Sequence, residues 1–163
     1  MGTTATISEL PAKPVVYALM GGSSRNKYVA YVGIGGNLRA RITQHLVQRD
    51  SSVATGTAAA CLNPDYVTEV RWWQHKTFKK VAYREAAEVV AVRVLDPTLR
   101  SRAKTTKAAK AVLANRDFAE EMFELFSGEA TGLLEIHNLQ SVVERLERLE
   151  AKLGRLSHAL SKP

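Results

Sequence analysis

A single cysteine, Cys61, stands in 163 residues. One thiol excludes a disulfide framework and a cysteine-built zinc site. Its neighbours are small, Ala58-Ala59-Ala60-Cys61-Leu62, and it reads as a small apolar core position. Residues Met1 to Pro11 lack a basic start followed by an apolar run. No stretch reaches the about 20 apolar residues that span a bilayer. The expectation is a cytoplasmic protein with no membrane partner. Long-period repeats and low-complexity tracts are also missing. Acidic side chains are outnumbered, 16 against 23 Lys and Arg, for a formal net charge of +7. That balance favours a polyanionic partner without requiring one. Apolar content of 45% suffices for an ordinary core, and the length suits one compact domain with an extension, or two small units.

What is present is an ordered series of elements. Residues 1–13 are polar and read as a tail. Val15 to Met20 is β-rich and predicts a buried strand. Gly21 to Asn26 is dense in turn residues, and Tyr28 to Gly33 predicts a second strand, so the pair reads as an antiparallel hairpin. Gly35-Gly36 ends it, and Asn37 is placed to cap a helix from Leu38 to Gln48. Arg41 and His45 are four apart there and share a face. Residues 49–65 read as a loop or short helix. Tyr66 to Trp73 predicts a third strand, with Val67, Glu69, Arg71 and Trp73 on one face and Thr68, Val70 and Trp72 on the other. Val81 to Leu95 is helical in pattern, and Pro97 stops it. The fold class expected over residues 14–100 is α+β, a small antiparallel three-stranded sheet flanked by helices. An all-helical C-terminal extension should follow. It comprises basic and acidic helices over 101–130, the second ended by Gly128, then an amphipathic helix over 131–163.

Four short segments carry the chemistry. They are Val15-Val16-Tyr17, Tyr31-Val32-Gly33, Asn37-Leu38-x-x-Arg41-x-x-x-His45, and Glu88 nine residues before Pro97. In this order, each on its expected element, they resemble the GIY-YIG nuclease superfamily, over about Pro14 to Arg100. That family includes homing endonucleases, some restriction enzymes and the nuclease half of a bacterial excision-repair subunit. The resemblance implies that Tyr17 orients or deprotonates the attacking water, that Tyr31 helps position it, and that Glu88 binds the metal. Two positions depart from the pattern. Val15 stands where the first glycine would be, in a strand backbone that tolerates the change. Arg100 stands where the family often has an asparagine, which puts catalysis in doubt more than fold.

The residue chemistry is coherent beside the resemblance. Phosphodiester hydrolysis needs an activated water, a Lewis acid and charge stabilisation at phosphorus. Glu88 offers a carboxylate to one Mg²⁺ or Mn²⁺, an ion that keeps most of its water. Arg41 offers a bidentate phosphate contact, and His45 binds phosphate or moves a proton. Each residue has a plainer alternative. The tyrosines also fit a hairpin core with satisfied hydroxyls. Arg41 and His45 fit a helix surface, and Glu88 fits an ion pair with Arg84. Glu85, twelve residues before Pro97, is the rival ligand.

The flanks fit a nucleic-acid partner, and the nuclease resemblance favours DNA over RNA, which the flanks themselves do not distinguish. Lys76, Lys79, Lys80 and Arg84 follow the third strand, and Arg100, Arg102, Lys104, Lys107 and Lys110 follow the domain. Such clusters track a phosphate backbone, the alternative being a solvated basic face. Of the adjacent Trp72 and Trp73, one is expected in the core and the other in packing or on a base. Leu139, Val142, Leu146, Leu149, Leu153, Leu156 and Leu160 alternate steps of three and four, a heptad seam. Arg145 at a g position would meet Glu150 at the following e position of a parallel partner. The expectation is a homo-oligomer through residues 139–160, the alternative being a helix folded onto its own domain. Taken together, the sequence implies a metal-dependent, single-metal DNA endonuclease. The rival is a catalytically silent nucleic-acid-binding or scaffold protein that keeps the fold and oligomerises by its coil.

Overall fold

In a computed structural model, residues 7–23, 26–52, 62–99, 104–137 and 139–160 are described, the side chains of the last helix from 142 to 158. Cys61 and Arg100 lie outside the described residues. The strands are β1 Val15–Gly22, β2 Lys27–Gly35, β3 Val67–Trp73 and β4 Gly132–Glu135. The helices are α1 Leu38–Ile42, α2 Val81–Leu95, α3 Lys107–Leu113, α4 Arg116–Ser127 and α5 Leu139–Leu160. The class is α+β, as expected. The sheet, however, has four antiparallel strands in the order β2-β1-β3-β4, not three. No described helix is long and apolar enough to cross a membrane.

The fourth strand corrects the reading of residues 131–163 as one helix. Gly132 to Glu135 pairs with β3 from Trp72 to Glu69, and Ile136 N–H donates to the Thr68 carbonyl at 2.8 Å. Heptad periodicity holds only from Leu139 onward. Upstream, four extended residues cover the β3 edge, which would otherwise leave backbone groups unpaired. Trp72 lies over Gly132, where an added Cβ would come within 2.2 Å of the indole. Trp72 is therefore a packing residue. Trp73 lies in the core against Phe126, ring centroids 5.5 Å apart.

β1 is one of the two inner strands, between β2 and β3, and is covered on both faces. Its alternation sorts the molecule into two cores. Val16, Ala18 and Met20 join Ala86, Ala87, Val90 and Ala91 of α2, Ala109 of α3, and Phe118, Met122 and Phe126 of α4. Val15, Tyr17 and Leu19 join Leu38 and Ile42 of α1, with Tyr31, Val70 and Leu134. Caps fix the helix ends where the sequence places them. Asn37 Oδ1 accepts from Ala40 N–H at 3.1 Å, and Asp96, left-handed at φ 45°, ends α2 ahead of Pro97.

Two bulges change which side chains share a face. Leu19 pairs with Tyr31 but Met20 with Val29, so Ala30 is extra. Met20 pairs with Glu69 but Gly21 with Val67, so Thr68 is extra. A bulge slips the alternation by one residue. Val67 therefore joins Val70 in one core instead of sharing the Glu69 face as strict alternation expects. Glu69 itself is buried and paired with both Lys27 and Arg71. Burial opposes its charge, but the two cations outweigh it and hold the carboxyl below its ordinary range.

Candidate active site

Tyr17 comes from β1, Tyr31 from β2, Arg41 from α1, and His45 from the π-helical turn Thr43–Gln48 that continues α1. Pairing sets the tyrosines diagonally. Tyr17 is opposite Gly33, and Tyr31 is opposite Leu19. Their ring centroids are 6.3 Å apart, and each lies 5.8 Å from the His45 ring. Gly33 has a physical reason in this packing. A Cβ there would sit 2.6 Å from Tyr17 Oη and 2.8 Å from the Tyr31 ring.

A hydrogen-bonded chain runs through the cluster. Tyr17 Oη lies 2.6 Å from His45 Nε2, and His45 Nδ1 lies 2.7 Å from Ser51 Oγ. Burial and Arg41 push the imidazole down to about 4, so it is neutral at pH 7 and one nitrogen accepts. Arg41 has only donors to offer Tyr17. The arrangement that satisfies every partner has the phenol donating to Nε2 and Nδ1–H donating to Ser51. Burial raises the ionisation of Tyr17 well above its ordinary value, and Tyr31 adds to this while Arg41 opposes it. Tyr31 is raised by burial and by Glu88.

Arg41 is half-buried. Burial disfavours its charge, but the two tyrosines outweigh that and hold the guanidinium above its ordinary range. One terminal nitrogen donates to Gln44 Oε1 at 3.0 Å, while Nε is buried with no hydrogen-bond partner. A buried, unsatisfied cationic donor is costly unless something arrives to take it up, and a phosphate oxygen suits it.

Glu88 approaches from α2, near enough to bear on Tyr17 and Tyr31 and to be affected by Arg41. Burial, then Glu85, lifts its carboxyl to about 7, with Arg41 opposing. The alternative ion pair with Arg84 is not made. Arg84 donates instead to the Phe78 carbonyl at 2.5 Å, and among the described residues Glu88 has no ion pair. Glu85, the rival ligand, accepts from Thr106 Oγ1 at the cap of α3. A half-buried carboxyl that makes no ion pair fits a divalent cation, and one carboxylate with waters suits Mg²⁺ or Mn²⁺. No group of three or more His, Cys, Asp or Glu able to hold a metal occurs among the described residues. Any such site would rest on Glu88.

The basic residues divide. Lys76 and Lys79 line a 310 Å³ depression with Lys13 and Pro14, at the end of the sheet where β1 begins. Lys80 instead sits over the Tyr83 ring, 5.5 Å from its centroid. Arg84 reaches the same end of the sheet, 3.8 Å from where a Gly36 Cβ would be. Two site neighbours escaped the sequence reading. Gln44 was findable, three residues after Arg41 on the same helix. Ser51 was not, because it reaches His45 from beyond a helix end that Arg49 turns at φ 56°. Neither a family model, nor a curated protein, nor a solved structure matches this chain.

Proposed function

We propose that this chain is a GIY-YIG-type endonuclease that hydrolyses DNA phosphodiester bonds with one Mg²⁺ or Mn²⁺ held by Glu88. The observation that carries this reading is convergence. Tyr17, Tyr31, Arg41 and His45, from three separate segments, share one cluster, and an unpaired carboxylate from a fourth lies within its electrostatic reach. Arg41 and Glu88 are its water-accessible members, while Tyr17 and His45 are closed off.

In this reading Arg41 takes a phosphate oxygen on its orphaned Nε–H and neutralises charge that grows at phosphorus. Tyr17 is closed off from water, so substrate binding would have to admit one water to it. That water would lose its proton to the Tyr17 oxygen as Tyr17 passes its own proton to His45 Nε2. The resulting hydroxide forms the new P–O bond as the bond to the leaving oxygen breaks. His45 is a poor proton acceptor chiefly because it is buried, and Arg41 adds to this. An anionic phosphate on Arg41 would relieve only the second part. The divalent cation would supply Lewis-acid stabilisation of the phosphate charge.

Self-association through α5 belongs to the same proposal. Val142, Leu146, Leu149, Leu153 and Leu156 form one stripe and stay about half exposed or more, 64% at Leu153. Glu150 sits where a parallel partner would meet Arg145. A silent scaffold is the second reading, favoured by one observation. The Tyr17–His45–Ser51 chain is fully satisfied inside the core and would serve as a structural network without any substrate.

The test is labelled single- and double-stranded DNA and RNA, incubated with Mg²⁺ or with chelator. Cleavage should require metal and vanish in Glu88→Ala, while Glu85→Ala keeps most of the activity. A Glu88→Ala protein that cuts as fast as wild type sinks the assignment. Light scattering on Leu146→Glu with Leu153→Glu should give a monomer, because two like charges would enter a desolvated seam. An already monomeric wild type would remove the coil.

A further inference from the structure

On the face that carries Tyr31, a 220 Å³ cavity opens at the far end of β2, walled by Tyr28 and Tyr66. Both rings are large, aromatic and well exposed, 46% and 55%. Ala30, Val67 and Leu99 form an apolar floor. The two bulges build this corner. The extra residue at Ala30 lets Tyr28 and Tyr31, three apart in sequence, share a face. The extra residue at Thr68 turns Val67 onto that face beneath Tyr66. Bulges beside functional sites commonly re-aim side chains in this way. Leu99 ties the cavity to the candidate active site. Its N–H bonds the Ala30 carbonyl at 2.9 Å, and it bridges to Tyr31.

We infer that this cavity is a subsite for one unpaired nucleobase, on the same face of the sheet as the cluster that contains Arg41. The inference rests on the nuclease reading for its substrate class and adds where a base goes. The volume lies below the about 300–1,000 Å³ of pockets for drug-sized ligands, a scale suited to a single planar ring system. Exposed aromatic walls over an apolar floor favour stacking, which every base offers through its π-face. Asn63 lines the rim, and its Oδ1 already accepts from Asp65 N–H at 3.0 Å, which leaves its amide NH₂ as the donor it can offer a base edge. A base paired within a duplex is stacked between its neighbours and cannot enter. The subsite therefore selects single-stranded or splayed substrate.

The experiment measures binding of a single-stranded DNA oligonucleotide and its duplex by fluorescence anisotropy, in Ca²⁺ to hold back cleavage, with cleavage then followed in Mg²⁺. Tyr66→Leu keeps apolar bulk but removes the aromatic face. It should weaken single-strand binding about 5- to 100-fold, the range of one lost stack. The slope of affinity against salt should not change, since no ionic contact is lost. Tyr66→Phe should restore binding, and duplex binding should be indifferent to both. If wild type binds and cuts but Tyr66→Leu binds single strands equally well, the subsite alone falls. A Tyr66→Leu defect with no cleavage by any variant keeps the subsite and removes catalysis. Wild type that binds no oligonucleotide overturns both.

Discussion

On the helical face of the sheet, Val16, Ala18 and Met20 meet Ala87, Val90, Met122 and Phe126 in one apolar cluster. On the opposite face the same strand places Val15 and Leu19 around Tyr17, whose hydroxyl enters a buried chain with His45 and Ser51. Both faces exclude water. The first does so mainly with apolar groups indifferent to pH, its buried Glu69 being held charged by Lys27 and Arg71. The second encloses ionisable groups whose proton affinities burial has shifted far from their ordinary values. Such shifts lower stability across part of the pH range, and they concentrate where proton transfer is useful. The difference separates a face that holds the fold from one that, in the reading proposed above, tolerates some instability for the sake of proton transfer.

The comparison breaks most visibly in paired substitutions. Arg41→Ala should slow single-turnover cleavage at saturating DNA by about 10²–10³, the usual cost of one transition-state donor. Its melting temperature should move little. Met122→Ala on the apolar face should do the reverse, losing roughly 2–5 kcal/mol of stability for a buried methionine while the rate constant holds below the melting transition. An unchanged rate constant in Arg41→Ala, with merely weaker binding, would make Arg41 a docking residue.

A smaller effect sharpens the comparison through pH. The Glu88 carboxyl rises from 4.5 to about 7, so the folded chain keeps a proton that the unfolded chain has released. Its contribution to stability is present below about 4.5 and lost as pH rises through about 7. The His45 imidazole falls from 6.5 to about 4, so the unfolded chain takes up its proton first. That contribution is present above about 6.5 and lost as pH falls through about 4. The two oppose each other, and wild-type stability should be nearly flat between them. Glu88→Gln should be more stable than wild type by about 1–2 kcal/mol at about pH 8, discounted for the part of the carboxylate that water reaches, and no more stable below about pH 4.5. Denaturant midpoints across pH measure this, and a constant gap would show that Glu88 does not titrate as described.

Much of the frame was legible because local rules decided it. Asn37 had a helix to cap, Pro97 had one to stop, and the run Val15 to Met20 had to be a strand buried on both sides. Tyr17, Tyr31, Arg41 and His45 were legible as a set through the resemblance of their motif order to a nuclease family; the hairpin register and the shared helix face bring them together in the structure. Ser51 was hidden because its contact with His45 follows the path of a turn rather than a period. The fourth strand was hidden for a similar reason. Gly132 to Glu135 is too short to declare its period, and its pairing is decided by an edge of β3 that lies about sixty residues earlier in the chain.

By itself the sequence determined the class of the fold, the hairpin that presents the tyrosines, the limits of α2 and the leucine stripe of α5. These depend on neighbours within a turn or a strand, where side-chain period and capping act directly. Only the tertiary structure decided that Glu88 would make no ion pair with Arg84, while Arg84 served the Phe78 carbonyl and Glu85 served Thr106. It alone put Tyr28 on the face of Tyr31. Burial, bulges and long-range hydrogen bonds set those outcomes, and each depends on what another part of the chain brings into contact.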